Sequence, residues 1–405
     1  MTSPSSPAIP IPLQLRRLLL LPQRLWLRLP LMDRWLTSEL IGPLLFGIAA
    51  FTVVSLSVGV VFELVRKVAE AGLPPLVAMQ VLGLRLPSFL VLSFPMATLM
   101  ATLLGYSRLS GSSELTALRS IGVSTRRMVM PALMVAIVMT ALTFFFNDVI
   151  VPSSNRVASN TLDTALGRAL SSEHGSNVVY SRFGPVSVQD GDQLRTETGL
   201  AQLFYAREST RDGMQDVTLL DFSRSGQQQM LIAKSAVWND RRSVWEFRNG
   251  RLINIEAAGS RTTSAEFDRY FYPFTSAPRD VAKLPSNAEE MTVGQAIRAE
   301  RLLAEAGDVK EARRLRVRIQ EKFAFPAICL VFGLIGSSLG VRPNARTSRS
   351  QGFGISVLLI FGYYLMSFIF SSLGVKGTLL PVFAAWLPVT IGLAAGLFLL
   401  RQASR

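Results

Sequence analysis

The sequence predicts an α-helical membrane protein with six transmembrane helices, arranged 3 + 3, and an all-β, jelly-roll-like domain inserted between the two triplets. Three observations lead there. Six uncharged apolar runs are each long enough to span a bilayer. A polar stretch with two-residue alternation separates the third run from the fourth. Arg and Lys gather in alternate short connections, which fits the positive-inside pattern and not a nucleic-acid stripe.

The bulk numbers agree. The chain has 405 residues, of which 49% are hydrophobic and 17% charged, with a formal charge of +14. It holds one cysteine, Cys329, and one histidine, His174. No intrachain disulfide, no His/Cys metal cluster and no His-based triad beyond His174 itself can be built. No GxxxxGK[ST] loop, H-E-x-x-H or G-x-S-x-G is present, so a Walker-type ATPase site in this chain is excluded.

Taken in order, residues 1–31 are rich in Pro, Ser, Leu and Arg. The Leu18–Leu21 run is too short for a signal-peptide core, and no small-residue cleavage site follows it. Arg16, Arg17, Arg24 and Arg28 would suit an anionic lipid surface. A disordered extension, or sequence upstream of a start at Met32, is the simpler reading. The segment 32–150 carries the first three spans, at Leu40–Phe62, Leu86–Tyr106 and Met128–Asn147. Pro95 should kink the second. The segment 311–405 carries the last three, at Phe323–Val341, Gln351–Val375 and Gly377–Leu400. Gly336 and Gly340 form one GxxxG in the fourth span, a pattern that chance produces often. Cys329 lies inside that span as a small hydrophobe.

Orientation follows from the short connections. Arg108, Arg119, Arg126 and Arg127 lie in one, Arg342, Arg346 and Arg349 in another, and Arg401 and Arg405 in the tail. The opposite connections are mixed or sparse. Both termini are therefore expected in the cytoplasm and the insert outside. The insert, 151–310 with its flanking helices, reads as about eight short strands between Asn177 and Phe274, with Arg248-Asn249-Gly250 among the turn signals. A helix capped by Thr292 follows.

The connection at about 109–125, LSGSSELTALRSIGVST, reads as a short amphipathic helix. Ser112 or Ser113 can cap it, Glu114 suits its first turn, and Gly122 can end it. Leu115, Leu118 and Ile121 would form one apolar face. So short a helix is marginal alone and needs a membrane surface or a partner to lie on. At the opposite end, Arg66 and Lys67 close the first span, Arg85 opens the second, and Arg316, Arg318 and Lys322 precede the fourth. Each alone reads as a snorkelling anchor. Together they would suit an amphiphile with phosphate or carboxylate head groups.

Several residues then form an ordered set. They are Met32–Leu36 (MDRWL), Phe94-Pro95-Met96-Ala97, Leu103-Leu104-Gly105, Ser113-Glu114-Leu115, Arg119 and Gly122-Val123-Ser124. Beyond the insert come Lys322-Phe323 with Pro326, Gly362-Tyr363-Tyr364 and Ala385-Trp386-Leu387-Pro388. From about residue 32 to 400 the chain resembles the lipopolysaccharide-export permeases LptF/LptG (YjgP/YjgQ). The resemblance implies an inner-membrane ABC transporter permease that pairs with a second permease subunit, as a homodimer or heterodimer, and with a cytoplasmic ABC ATPase dimer. ATP and Mg would be bound by that partner, with no cofactor in this chain. It implies that the 109–125 helix is a coupling helix, with Glu114 in the ATPase groove and Leu115, Leu118, Arg119 and Gly122 building it. It implies that the insert is a periplasmic jelly roll that joins bridge proteins of the same kind into an apolar slide. The first and fifth helices of the paired subunits would form lateral gates, and Arg66 and Lys67 match the family position that holds lipopolysaccharide phosphates. For Arg85, Arg316, Arg318 and Lys322 only the location carries over. The alternative is a non-transport membrane scaffold whose outer β-domain binds envelope proteins.

Overall fold

The computed structural model describes residues 30–165, 178–190, 193–210, 213–223, 227–239, 244–256, 262–272, 288–305, 307–341 and 349–404. His174 and the first 29 residues lie outside this set. Among the described residues, six helices are long and apolar enough to cross a membrane.

The first span is α1 (Leu31–Leu56), a π turn at Ser57–Val61, and α2 (Phe62–Ala71). Gly72, at φ 67°, caps α2 in the left-handed region that a side chain would disfavour. The second span is α3 (Pro75–Gly111), which continues through Pro87 and Pro95. A short α4 (Glu114–Ser120) leads to α5 (Thr125–Phe145), a second π turn at Phe146–Ile150, and α6 (Val151–Ala165). After the insert come α7 (Val293–Glu305), α8 (Val309–Gly340), α9 (Arg349–Lys376) and α10 (Pro381–Ala403). Thr292 caps α7 as expected: its Oγ1 accepts from Gln295 N, and Gln295 Oε1 accepts from Thr292 N in return.

Two helices form the centre of the bundle. In the apolar stretches of α3 and α8, 67% and 72% of residues are buried, against 22% for α1 and 17% for α9. The α3–α8 contact is a seam of small residues. A Cβ on Gly340 would stand 2.6 Å from Tyr106 Cβ and 3.0 Å from Leu103 O. One on Gly336 would strike Thr102 Oγ1 and lie 2.9 Å from Leu99 O. One on Gly333 would meet Ala136 Cβ of α5 at 2.5 Å. The GxxxG is therefore the surface on which backbones meet, and not a chance pattern.

The insert contains six antiparallel strands: β1 (Val178–Asp190), β2 (Gln193–Thr210), β3 (Gly213–Asp221), β4 (Gln227–Asn239), β5 (Val244–Glu256) and β6 (Thr262–Tyr272). They pair in the order β1-β2-β3-β4-β5-β6. The eight short strands expected are thus six longer ones among the described residues, and each neighbours the next in sequence. Arg248-Asn249-Gly250 is not a turn between strands. It lies inside β5, where Gly250 faces Ala233 and Arg248 faces Ser235, so Asn249 and Lys234 sit opposite each other in an unshifted register, skipped by the ladder. Asp216 does the same in β3, opposite Arg207 of β2, to which it pairs at 3.2 Å. Asp216 and Asn249 both adopt positive φ, 47° and 51°. A crease thus crosses β3, β4 and β5 at one level, with the register unshifted on either side. It inverts the alternation, so that Met214 is buried on one side of Asp216 and Val217, Leu219 and Asp221 on the other.

The creased sheet rolls over. Phe204 of β2 stacks on Trp245 and Phe247 of β5 at centroid distances of 5.8 and 6.4 Å. In a flat sheet, strands three positions apart would be separated by about 14 Å. Tyr272 Oη of β6 donates to Asp221 Oδ2 of β3 across the same gap, and Gln202 Nε2 of β2 donates to Tyr272 Oη at 2.7 Å. One face of the roll is an aromatic core, and the described strands connect as a meander, so the insert is all-β as expected but without the crossed connections of a jelly roll among the described residues.

Two outcomes test this account. Gly336→Leu should overpack the seam at a cost of about 1–3 kcal/mol, or prevent folding, and lower the melting midpoint of the detergent-solubilised chain. Gly83→Leu in α3, where an added Cβ meets nothing within 4 Å, should leave it unchanged. Secondly, burial pushes the Asp221 carboxyl up, but hydrogen bonds from Ser223, Tyr272 and Gln202 outweigh it, and the net shift is down. Its contribution to stability is then complete above the unfolded carboxylate value of about 3.9 and lost as pH falls through the lower folded value. Acid titration followed by tryptophan emission should show this loss in the native chain and not in Asp221→Asn, which should start from lower stability at neutral pH.

Candidate functional sites at the two ends of the bundle

At one end, α4 is built by its own local chemistry. Neither expected serine caps it: Ser113 is the N-cap residue in a left-handed conformation without a side-chain bond, and Ser112 Oγ donates to Glu114 Oε1 at 2.7 Å. Leu109–Gly111 belong to α3, so the helix is seven residues long and not the whole of 109–125. Its end is a Schellman motif. Val123 N donates to Leu118 O at 3.1 Å and Gly122 N to Arg119 O at 2.9 Å, with Gly122 at φ 89°.

The faces of α4 divide cleanly. Leu115 is buried, and Leu118 and Val123 pack with it against Leu36, Tyr106, Met128 and Val341. Ile121 does not join that face as expected; it is 77% exposed. The outward surface is Glu114, Thr116, Ala117, Ser120, Ile121 and Gly122. The periodicity of three misled because the helix stops at Ser120, and the Schellman turn swings Ile121 away while returning Val123 to the core.

Polar links join this end of the bundle, among them Tyr106 Oη of α3, which donates to Met128 O of α5 at 2.7 Å. Asp33, buried at the start of α1, receives Arg127 through both carboxylate oxygens at 2.8 Å each. Arg108 pairs with Glu39. Arg119 Nη2 donates to Val341 O at 2.8 Å, and Thr125 Oγ1 to Ala403 O at 3.3 Å. Asp33 was present in the sequence as part of MDRWL, but its partner lies 94 residues away and no local signal points to it. Removing Arg127 would strand the buried Asp33 carboxylate.

At the other end the expected cations fall into separate groups. Glu63 holds two of them together: Lys67 Nζ at 2.5 Å and Arg85 Nη1 at 3.7 Å. Arg66 is exposed beside them, with no ion pair among the described residues. Arg316 pairs with Glu300 of α7 at 2.5 Å, and Lys322 Nζ donates to Met291 O at 2.5 Å. These two tie α8 to the segment before and within α7. Arg318 pairs with Glu321 at 3.0 Å, and Glu321 Oε1 also accepts from Ser371 Oγ of α9 at 2.5 Å. They stand in the mouth of a cleft of about 760 Å³ between α8, α9 and α10, whose walls include Ile328, Tyr363, Phe368 and Val389. Lys376 lies at the same mouth. The structure thus brings Arg66, Lys67 and Arg85 into one patch and leaves Arg316 and Lys322 in another. Glu63 and Glu321 are the organisers that charge counting passed over, since an acid among bases reads only as a dilution of the signal.

Among the described residues, no group of three or more His, Cys, Asp or Glu could hold a metal ion. No curated protein matches the chain. A family model described as the lipopolysaccharide export system permease LptF/LptG matches residues 34–402, nearly the whole chain and across both triplets and the insert. With six spans, a rolled β-sheet between the third and fourth, and a short exposed helix between the second and third, the chain belongs to the lipopolysaccharide export permease family LptF/LptG.

Proposed function

We propose that this chain is one of two permease subunits that lift lipopolysaccharide, or a similar anionic glycolipid, from the outer leaflet of the inner membrane. A separate cytoplasmic ATPase dimer binds ATP and Mg and drives the cycle, and the β-sheet hands the lipid to periplasmic bridge proteins. The observation that carries this reading is α4. Its apolar side chains are spent inside the bundle, while Glu114 and Ile121 remain outward on an element joined to both α3 and α5. A nucleotide-driven partner needs such a handle, with a charge and an apolar knob on a helix that cannot move alone.

Orientation is part of the proposal. The α4 end carries Arg108, Arg119, Arg126, Arg127 and Arg401, which favours the cytoplasmic side. The sheet is then periplasmic, and the Arg66–Lys67–Arg85 patch lies at the outer leaflet, level with lipid phosphates. Glu63 spaces Lys67 and Arg85 without cancelling the patch, which keeps a positive excess. Arg316 and Lys322 already serve α7 and Met291, and Lys67 shares Glu63 with Arg85, so lipid phosphates fall to the first patch through the exposed Arg66 and the positive excess around it. The second permease and the lipid would cover α1 and α9, whose apolar side chains such as Phe46, Val58, Leu358 and Phe361 face outward.

Glu114→Ala should abolish co-purification of a nucleotide-binding subunit, or uncouple it, while the melting midpoint stays put, because exposed positions cost within about 0.5 kcal/mol. Normal assembly and export by this variant would refute the role of α4. A scaffold would bring down no ATPase even as the native chain. Replacing Arg66 and Lys67 together by Gln should reduce bound lipopolysaccharide severalfold by mass spectrometry with ATPase assembly intact. The deficit against native chain should narrow as salt rises.

A further inference from the structure

The inference concerns how motion leaves α4, and it rests on the reading of α4 as the ATPase handle. Sequence order joins α4 only to α3 and α5. The structure adds a third connection. Arg119 turns away from the outward face and donates from Nη2 to Val341 O at 2.8 Å. Val341 is the C-cap of α8, where the last carbonyls of a helix concentrate negative charge and a guanidinium is favoured. Val341 also packs in the cluster that holds Leu115 and Leu118. The end of α8 is thus gripped by charge and by apolar contact from the same short helix.

What α8 does with that grip follows from its length and its neighbours. It runs unbroken over 32 residues, about 48 Å at 1.5 Å per residue. Its Gly336–Gly340 seam sets it backbone-to-backbone against α3, with no layer of long side chains to absorb a displacement. At the far end, Lys322 holds Met291 O and Arg316 holds Glu300. The 288–305 segment so held is the first described after β6 in the chain. It is fastened from the other triplet as well: Asp148 Oδ1 accepts from Val293 N at 2.8 Å, and Arg156 Nε donates to Glu290 O at 3.0 Å.

We propose that Arg119 is the joint through which displacement of α4 enters α8, and that α8 is the rod that delivers it to the 288–305 segment, the first described after β6. Arg119 is then a positioning residue for transport and touches neither nucleotide nor lipid. α9 is not the rod, since it has the fewest buried residues of any span.

The test uses the full permease–ATPase complex in proteoliposomes. Spin labels at Arg298→Cys in α7 and Glu70→Cys in α2, both exposed positions, report the distance across the outer end; Cys329 is buried and stays unlabelled. In the Arg119 background, ATP with vanadate should shift the distance distribution. In Arg119→Met the ATPase should stay bound and hydrolyse within about twofold of native, while the shift disappears and lipid release falls at least tenfold. Arg119→Lys, whose ammonium can still reach a carbonyl, should restore part of both. The proposal is overturned if Arg119→Met shifts and releases lipid as native does. It is equally overturned if that variant sheds the ATPase, which would place Arg119 in the docking face. Should Arg119→Met fail to fold, Arg119→Lys decides: a diminished shift with intact hydrolysis supports the joint, and an undiminished one removes it. Failure of the handle itself appears separately, as normal assembly and export in Glu114→Ala.

Discussion

The close approach of α8 to α3 is the constraint on which the remaining structure depends. Between helices in lipid there is no hydrophobic force, because the chains of the bilayer are as apolar as leucine. Association has to come from contact, and contact is densest where side chains are absent. Gly336 and Gly340 let α8 lie against Leu99, Thr102, Leu103 and Tyr106 at distances no Cβ would allow. The two threonines at this level bond to their own helix, Thr98 Oγ1 to Phe94 O and Thr102 Oγ1 to Thr98 O, so the seam buries hydroxyls without leaving them unsatisfied. With that pair fixed, α1 packs on α3, while α5 and α10 pack on α8. The two triplets are thereby one body and not two bundles side by side.

Polar ties then lock the ends, and they change how the arginines are understood. Counted along the sequence, the basic residues describe orientation and head groups. In the structure many are structural bonds: Arg127 to Asp33, Arg119 to Val341 O, Arg316 to Glu300, Lys322 to Met291 O. Both uses are compatible, since a cation at the interface can snorkel and still serve a neighbour. The consequence is that charge alone does not single out a ligand contact. What separates Arg66 from Arg316 is that the latter already has a carboxylate at 2.5 Å.

The spans and the break for the insert were legible in the sequence because hydropathy over twenty residues is a strong, local signal. So was the presence of a helix near Glu114, with Gly122 as its end. What was not legible is whatever depends on partners distant in sequence. Ser112 lost its expected capping role to Arg108 O, Leu109 O and Glu114. Ile121 kept the spacing of an apolar face but not its burial. Strand count failed for a different reason: Asp216 and Asn249 look like breaks, because Asp and Asn favour turns, yet here each is a single left-handed residue inside a longer strand. A left-handed residue that ends one hairpin and one that bends a continuous strand have the same local sequence. Only the opposite strand, with Lys234 against both, distinguishes them.

The uneven burial of the spans has a mechanical meaning. Elements that move at low cost have few apolar contacts within the chain. By that measure α3 and α8 resist parting, since the seam would have to open and expose Thr98, Thr102 and Ser337, all fully buried. α1 and α9 can. Both present apolar side chains outward along most of their length. α1 is also interrupted by a π turn at Ser57–Val61, one turn before the Glu63 that gathers Lys67 and Arg85. A π turn forfeits regular hydrogen bonding and is retained mostly where it serves a function. Gly59 in that turn lies so close to Phe89 of α3 that an added Cβ would stand 2.6 Å from the ring. Arg66 and Lys67 are therefore mounted beyond an irregular, glycine-bearing turn on a sparsely buried span, while the helix that receives Arg119 is the most buried of the six. On the proposed reading, a permease that opens sideways to admit a bulky anion and passes displacement along its axis needs both kinds of helix, and the uneven burial puts them in different spans.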